Sequence, residues 1–429
     1  MGVRRFSVVL ATAAVMSAAC GGGSGGGGSA SGKDAELTVW IMEGTNPDAG
    51  DYFESVSTAF TERTGAALDV QFVPWASAHD KFVTSIAGGT TPDVAEVGTT
   101  WAGEFAEAGA LVPLDDFVEE SDIADDLNEG LVQAGTIEGS LYGMPWYAGV
   151  RSVVYRTDLF AAAGVEPPTT WDEWLEVGKA LKAAHPDVIP MPVAGDNEYG
   201  LYPFIWGNGA EIATEDDGTW TSQIDSPESR EGIAFYTGLA TEHGLSTPAA
   251  TTWKETDLRD AFVRGDAAMI LSGSWTPKAI LEAAPDLKGK IGAFPIPGPD
   301  GGLSPSFTGG SLLSVFETTE DQDLAWEFVD MVSTGEFASQ WAEATSFFPG
   351  IDSLLAEAQA SDDPLVQPFA RQMVEAGKSV PVTPAYGQVQ ARKTVQAMLQ
   401  SILSGAKSVE QATADAAAEM DETLAAGSS

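Results

Sequence analysis

Apolar residues recur along this chain in two alternating rhythms. In ELTVWI (36–41), Leu37, Val39 and Ile41 fall at every second position, the period of a strand with one buried face. In DYFESVSTAFTERTG, Phe53, Val56 and Phe60 fall three and four apart, the period of a helix, and Gly65 stops it. LDVQFVPW returns to the strand period with Leu68, Val70 and Phe72. AHDKFVTSIAGG predicts a short helix ended by Gly88-Gly89, and PDVAEVG the next strand. Further on, SVVYR (152–156), AAMILSGSW (267–275) and GGSLLSVF (309–316) read as strands, and TDLRDAFVRG as a helix. Thr170 with Glu173, and Ser408 with Gln411, have the spacing of capping boxes. The last hundred residues are almost entirely helical in pattern. Strands alternating with helices predict an α/β fold whose sheets are covered on both faces. No internal repeat is visible.

Length changes this picture by adding a second domain. About 400 residues follow the N-terminal segment, more than one hydrophobic core usually serves. That segment has its own logic. Arg4 and Arg5 precede an apolar run from Phe6 to Val15, and Ser17-Ala18-Ala19 precede Cys20, the single cysteine. The run is too short to span a bilayer and fits a secretion signal over residues 1–19. Small residues directly before a lone cysteine resemble the lipobox of bacterial lipoproteins, which makes Cys20 the lipidation site. Ser17 stands where that motif prefers leucine. Arg4-Arg5 raises the twin-arginine export route, but Val3 and Phe6-Ser7-Val8 fit its motif poorly. Residues 20–35 are a Gly/Ser linker, a flexible coil with a span of about 20 Å.

The net charge of −42 argues against nucleic acid and anionic lipid as partners. The acids are dispersed, as on a solvated surface. His79, His185 and His243 have no metal-ligand spacing, so neither a metal nor a cofactor is expected. A G-x-S-x-G match at Gly22–Gly26 lies inside the linker, and the G-x-G at Gly207–Gly209 lacks the rest of a dinucleotide fingerprint. With 63 acids, pairs of carboxylates carry no information about glycoside hydrolysis.

What the chain does carry is aromatic residues at strand ends, next to Gly, Ser, Thr, Asn and Pro. Trp75, Trp101, Tyr147, Trp206, Trp275, Phe348 and Tyr386 sit in such places, with Arg151 and Asn208 nearby. Strand ends of open α/β sheets are where ligands collect. An aromatic face suits the apolar C–H face of a pyranose, and carboxylates such as Glu43, with Arg151 or Asn208, suit its hydroxyls. Trp40, Trp171, Trp174, Trp326 and Trp341 read as core residues. Trp206 and Trp275, flanked by glycine, read as ligand-facing.

At these residues the chain resembles the bacterial extracellular solute-binding proteins of family 1, the sugar receptors of ABC importers that include maltose-binding protein. The likeness runs from about residue 36 to 425. Its carriers are ELTVWIMEG, AGGTTPDVAEVGTTWAGEFAEAGALVPL, LYGMPWYAGVRSVVYRTDLFAAAGVEPPTTWDEW, GDAAMILSGSWTPKAI and FPIPGPDGGLSPSFTGGSLLSVF, in family order. The resemblance implies a two-lobed periplasmic-binding-protein-like fold of type II, with a ligand clamped between lobes by hinge closure. Lobe 1 would hold 36–147 plus 303–352, and lobe 2 would hold 148–302 plus 353–429. It maps ligand contacts onto Glu43, Thr99, Thr100, Trp101, Tyr147, Arg151, Trp206, Asn208, Trp275, Gly309, Gly310, Phe348 and Tyr386, to which the strand-end aromatics add Trp75. The family's frequent acidic residue at the crossover is Gly149 here, which argues against carrying over maltose specificity. The implied function is a monomeric, lipid-anchored, non-enzymatic receptor on the outer face of the cell membrane. It would capture a di- or oligosaccharide, N-acetylated sugars included, and deliver it to the transmembrane subunits of an ABC permease. A lipid-anchored glycoside hydrolase and a receptor for a polyamine or peptide are the alternatives.

Overall fold

The structure, a computed structural model, describes residues 35–43, 50–121 and 123–426. The leader, Cys20 and the linker up to residue 34 lie outside the described residues. The sheet begins with β1 (Glu36–Glu43), held parallel between β2 (Ala67–Pro74) and β3 (Val94–Gly98). Being internal, β1 buries Trp40 and Met42 as well as the alternating Leu37, Val39 and Ile41. β2 lies at the edge of the strand order, so only Val73 is fully buried and Phe72 is left exposed.

The helix Gly50–Thr64 turns Tyr52, Phe53, Val56 and Phe60 inward, as its period requires. A helix runs from Trp75 to Gly88, where the sequence suggests a loop at Trp75. Pro74 ends β2 in extended geometry, and the helix begins at the next residue. Gly89 closes it in the left-handed region, φ 62°, where a glycine costs least.

Two short strands, β4 (Thr136–Ile137) and β5 (Ser140–Leu141), form a hairpin before the long β6 (Met144–Arg156). β6 joins the two halves of the molecule. Further along come the hairpin of β7 (Ala213–Asp216) and β8 (Thr219–Ser222), then β9 (Met269–Gly273), β10 (Ile291–Phe294) and β11 (Ser306–Val315). From Met144 to Val150, β6 pairs antiparallel with β11, which continues onto β3. From Arg151 to Arg156 it pairs with β9 and β10 instead. The handover falls between Val150 and Arg151. Two very short strands, β12 (Phe348–Pro349) and β13 (Gly377–Lys378), add to β6 and β11.

Hydrophobic packing follows the same division. Residues before Gly149 pack mainly with 312–351, around Trp146, Trp341, Phe60 and Leu313. Residues from Val150 to Ile296 pack with the helical tail, including Tyr386, Leu399 and Met420. Trp275 is an exception, because it packs with the first group. Thr170 Oγ1 accepts from the Glu173 amide at 3.2 Å, and Glu173 reaches back to the Thr169 amide at 2.7 Å. Ser408 accepts from the Gln411 amide at 3.2 Å, whereas the Gln411 side chain turns to Asp415. Among the described residues no helix is long and apolar enough to cross a membrane.

Candidate ligand cleft

A cleft opens where the two halves meet, beyond the end of β3. Its inner chamber, about 230 Å³, is walled by Thr99, Thr100, Phe307, Thr308 and Thr383, among others. Its outer chamber, about 560 Å³, is walled by Trp206, Trp220, Glu211, Ile212 and Glu215. The two share Gln133, Thr136 and the segment Ser379–Val382. Thr99 and Thr100 are carried in by the turn after β3, and the Thr99 amide donates to the Gly310 carbonyl at 3.1 Å. Trp206 comes from the helix Tyr202–Gly207 and Trp220 from β8. The Thr308 hydroxyl is buried and has no partner among the described protein groups. A buried hydroxyl without a partner is costly, and a ligand hydroxyl would relieve it. Glu107, Glu211 and Glu215 line the chambers, while among the described residues no lysine or arginine does. Lys378 sits at the margin, 2.6 Å from Glu211 and 5.6 Å from the Trp206 ring centre.

Behind the inner chamber lies a buried cluster that Phe307 connects to the cleft. The Arg151 guanidinium stands 4.3 Å from the Tyr199 ring, 5.2 Å from Trp275 and 5.4 Å from Phe307. It donates to Glu255 at 3.0 and 3.2 Å, and the other Glu255 oxygen accepts from Ser272 and the Gly273 amide. The Arg151 charge is thus paired with a carboxylate of the protein itself. Trp275 meets Phe347 at 4.8 Å, and Phe347 stacks on Tyr147 at 4.1 Å. A β-carbon on Gly149 would stand 2.6 Å from the Trp275 ring, and one on Gly309 would stand 2.4 Å from Phe307. These glycines give the rings room.

Glu96 on β3 is wholly buried and accepts from the Met42 amide at 2.7 Å, from Ser311 at 2.6 Å and from Tyr147. Burial pushes its carboxyl up to about 7, although the three donors pull the other way. Burial, with the neighbouring Glu96 charge, raises the Tyr147 phenol as well. Glu198 is buried beside Gln396, and burial raises its carboxyl above the usual range.

The residues singled out from the sequence therefore fall into groups. Thr99, Thr100 and Trp206 line the cleft. Tyr147, Arg151, Trp275 and Gly309 belong to the cluster behind it. Gly310 backs onto the Tyr147 carbonyl, 2.2 Å from where its β-carbon would be. Trp75 and Trp101 form a tilted pair at 5.3 Å above Gly98. Glu43 is exposed at the end of β1, and residues 44–49 after it lie outside the described residues. The Asn208 amide is taken by the Glu228 carbonyl at 2.8 Å. Tyr386 is buried, its hydroxyl 2.7 Å from that of Tyr202. Phe348 is buried on the face of β12 opposite Phe347. Sequence reasoning passed over Phe307, Thr308, Gln133, Thr136, Trp220 and Ser379–Thr383. Trp220 carried a usable signal, an aromatic beside a DDG turn; Gln133 and Thr136 carried none.

Two α/β bodies joined through β6 and β11, with a polar, aromatic-walled cleft between them, define a periplasmic-binding-protein-like fold. The sequence profile of the family described as bacterial extracellular solute-binding protein matches residues 44–338, and the chain belongs to that family. A binding protein of Brucella abortus (strain 2308) is 27% identical over 406 residues, covering 92% of this chain and 95% of that one. The diacetylchitobiose-binding protein of Streptomyces coelicolor is 26% identical over 393 residues, covering 91% and 90%. An ABC transporter solute-binding protein of Thermotoga lettingae, solved with α-D-tagatose, superposes with a TM-score of 0.82 at 25% identity, covering 91% of this chain and 100% of that one.

Proposed function

We propose that this protein is the substrate-binding lipoprotein of an ABC importer, capturing a di- or oligosaccharide between its lobes. The observation that carries this reading is the cleft itself. Trp220, and the small part of the core residue Trp206 that reaches the wall, offer apolar surface beside Thr99, Thr100, Gln133, Thr136 and the unpartnered Thr308 hydroxyl. That pairing of ring faces with short polar side chains suits a neutral polyol. The sugars bound by the Streptomyces and Thermotoga relatives support the same class. Carboxylates at Glu107, Glu211 and Glu215, with Lys378 already paired to Glu211 and no other lysine or arginine among the described lining residues, disfavour uronic acids and phosphorylated sugars.

Lobe 1 would comprise 36–147 plus 303–352, and lobe 2 would comprise 148–302 plus 353–429, hinged near the Val150–Arg151 handover in β6. Closure shifts the open–closed population in proportion to the ligand's preference for the closed form. No bond is made or broken. Cys20 would carry lipid after removal of residues 1–19, and the linker would let the receptor reach its permease at the outer face of the membrane.

A thermal-shift screen of the mature chain with Cys20→Ser tests the reading. The panel holds mono- and disaccharides of glucose, galactose, xylose, arabinose and N-acetylglucosamine, with a polyamine and a peptide as controls. A disaccharide should raise the melting midpoint most, and chromogenic glycosides should stay intact. A shift with the polyamine or peptide alone would overturn it. Mass spectrometry of the mature N-terminus checks the anchor, with lipid on Cys20 as the expected result.

A further inference from the structure

The boundary shared by the two chambers is built unevenly. On one side stand Gln133 and Thr136; on the other runs the short span from Ser379 to Val382, between β13 and the helix Pro384–Ala391. This span is pinned at both ends. At its start Lys378 pairs with Glu211 at 2.6 Å. Past its end Gln388 donates to Glu104 at 2.7 Å, and Glu104 also meets His79 at 2.8 Å. Gly387 lies so close to the turn after β3 that a β-carbon there would stand 3.2 Å from the Thr100 carbonyl. Between the pins, Pro381 stiffens the backbone. Val380 is buried in the core, whereas Val382 is 54% exposed and faces both chambers.

An exposed valine held rigidly at the neck of a polar cleft needs an apolar partner to lose contact with water. We infer that Ser379–Thr383 is a strap that divides the ligand site, and that it sets the length of saccharide the cleft accepts. This rests on the saccharide reading above. One sugar ring occupies the inner chamber, against Phe307 and the Thr99, Thr100 and Thr308 hydroxyls. A second ring must pass the neck to lie by Trp206 and Trp220. The C–H groups flanking the glycosidic link then lie against Val382. A monosaccharide makes none of the outer contacts, so the neck selects for length and not for the first ring.

The test uses the mature chain with Cys20→Ser, titrated by calorimetry with the disaccharide that stabilises it most and with that disaccharide's own monosaccharide. Val382→Ala and Val382→Ser are the variants; Val382 is 54% exposed, so neither change opens a core. Each should weaken the disaccharide by roughly tenfold, a typical loss for a contact residue, and leave the monosaccharide within about twofold. Equal losses for both sugars, or no loss for either, would overturn the strap while leaving the saccharide reading intact. A wild-type chain that binds no saccharide would overturn both.

Discussion

A β-carbon at position 149 would press 2.6 Å from the Trp275 ring and 3.2 Å from Phe347, so the choice of glycine there is tied to the indole. Gly149→Ala should destabilise by about 1–3 kcal/mol, the usual cost of overpacking, measured by urea unfolding. Combined with Trp275→Phe, whose smaller ring relieves the clash, it should cost less than the sum of the two single changes. Glu96 gives a second residue-scale test. Its folded carboxyl titrates near 7 and its unfolded one near 4.5, so the folded state holds the extra proton between those values. Its contribution is therefore full below about pH 4.5 and is lost as pH rises through 7. Glu96→Gln, which cannot ionise, should gain melting temperature relative to wild type on going from pH 5 to pH 8. A difference that does not change with pH would contradict the assignment. At this scale legibility followed local signals. Trp206 was visible because glycine follows it, and Gly149 as a departure from the family pattern. Phe307 and Thr308 were not, since only the antiparallel register of β11 on β6 turns them toward the cleft.

Elements were more legible than the residues they deliver. Alternation located β1 although both of its faces are buried, and helical spacing located Gly50–Thr64, which turns one face inward. β2 reads like an internal strand by the same rule, yet its edge position leaves Phe72 in solvent. The thirteen residues of β6 form one strand whose pairing changes hands midway, and no local period encodes that change of partner. The Thr170 cap was legible, although Glu173 returns to the Thr169 amide and not to that of Thr170. Thr170→Ala should lower stability by about 1 kcal/mol, read by chemical unfolding, with ligand affinity unchanged. The strap was illegible for the opposite reason: SVPVTP has neither period nor aromatic ring, and its place is fixed by Lys378–Glu211 and Gln388–Glu104, partners 167 and 284 residues away.

At the scale of the whole molecule, β6 and β11 both run from one packing group into the other beside the cleft. The packing groups separate near Gly149, and Trp275 crosses between them, which ties the indole to the relative position of the lobes. The charge of −42 comes from acids dispersed along the chain and disfavours anionic partners. Saturating saccharide should make the chain more compact, or hold it compact, in small-angle scattering; expansion on binding would contradict closure. In the proposed reading a saccharide binds in this cleft without being altered. Isothermal titration of the mature Cys20→Ser chain with the best disaccharide of the panel, followed by chromatography of the cell contents, tests it most directly. Saturable heat at one site per chain, with the sugar recovered whole, is the expected result; no heat with any saccharide, or recovery of cleaved sugar, would rule out a saccharide receptor.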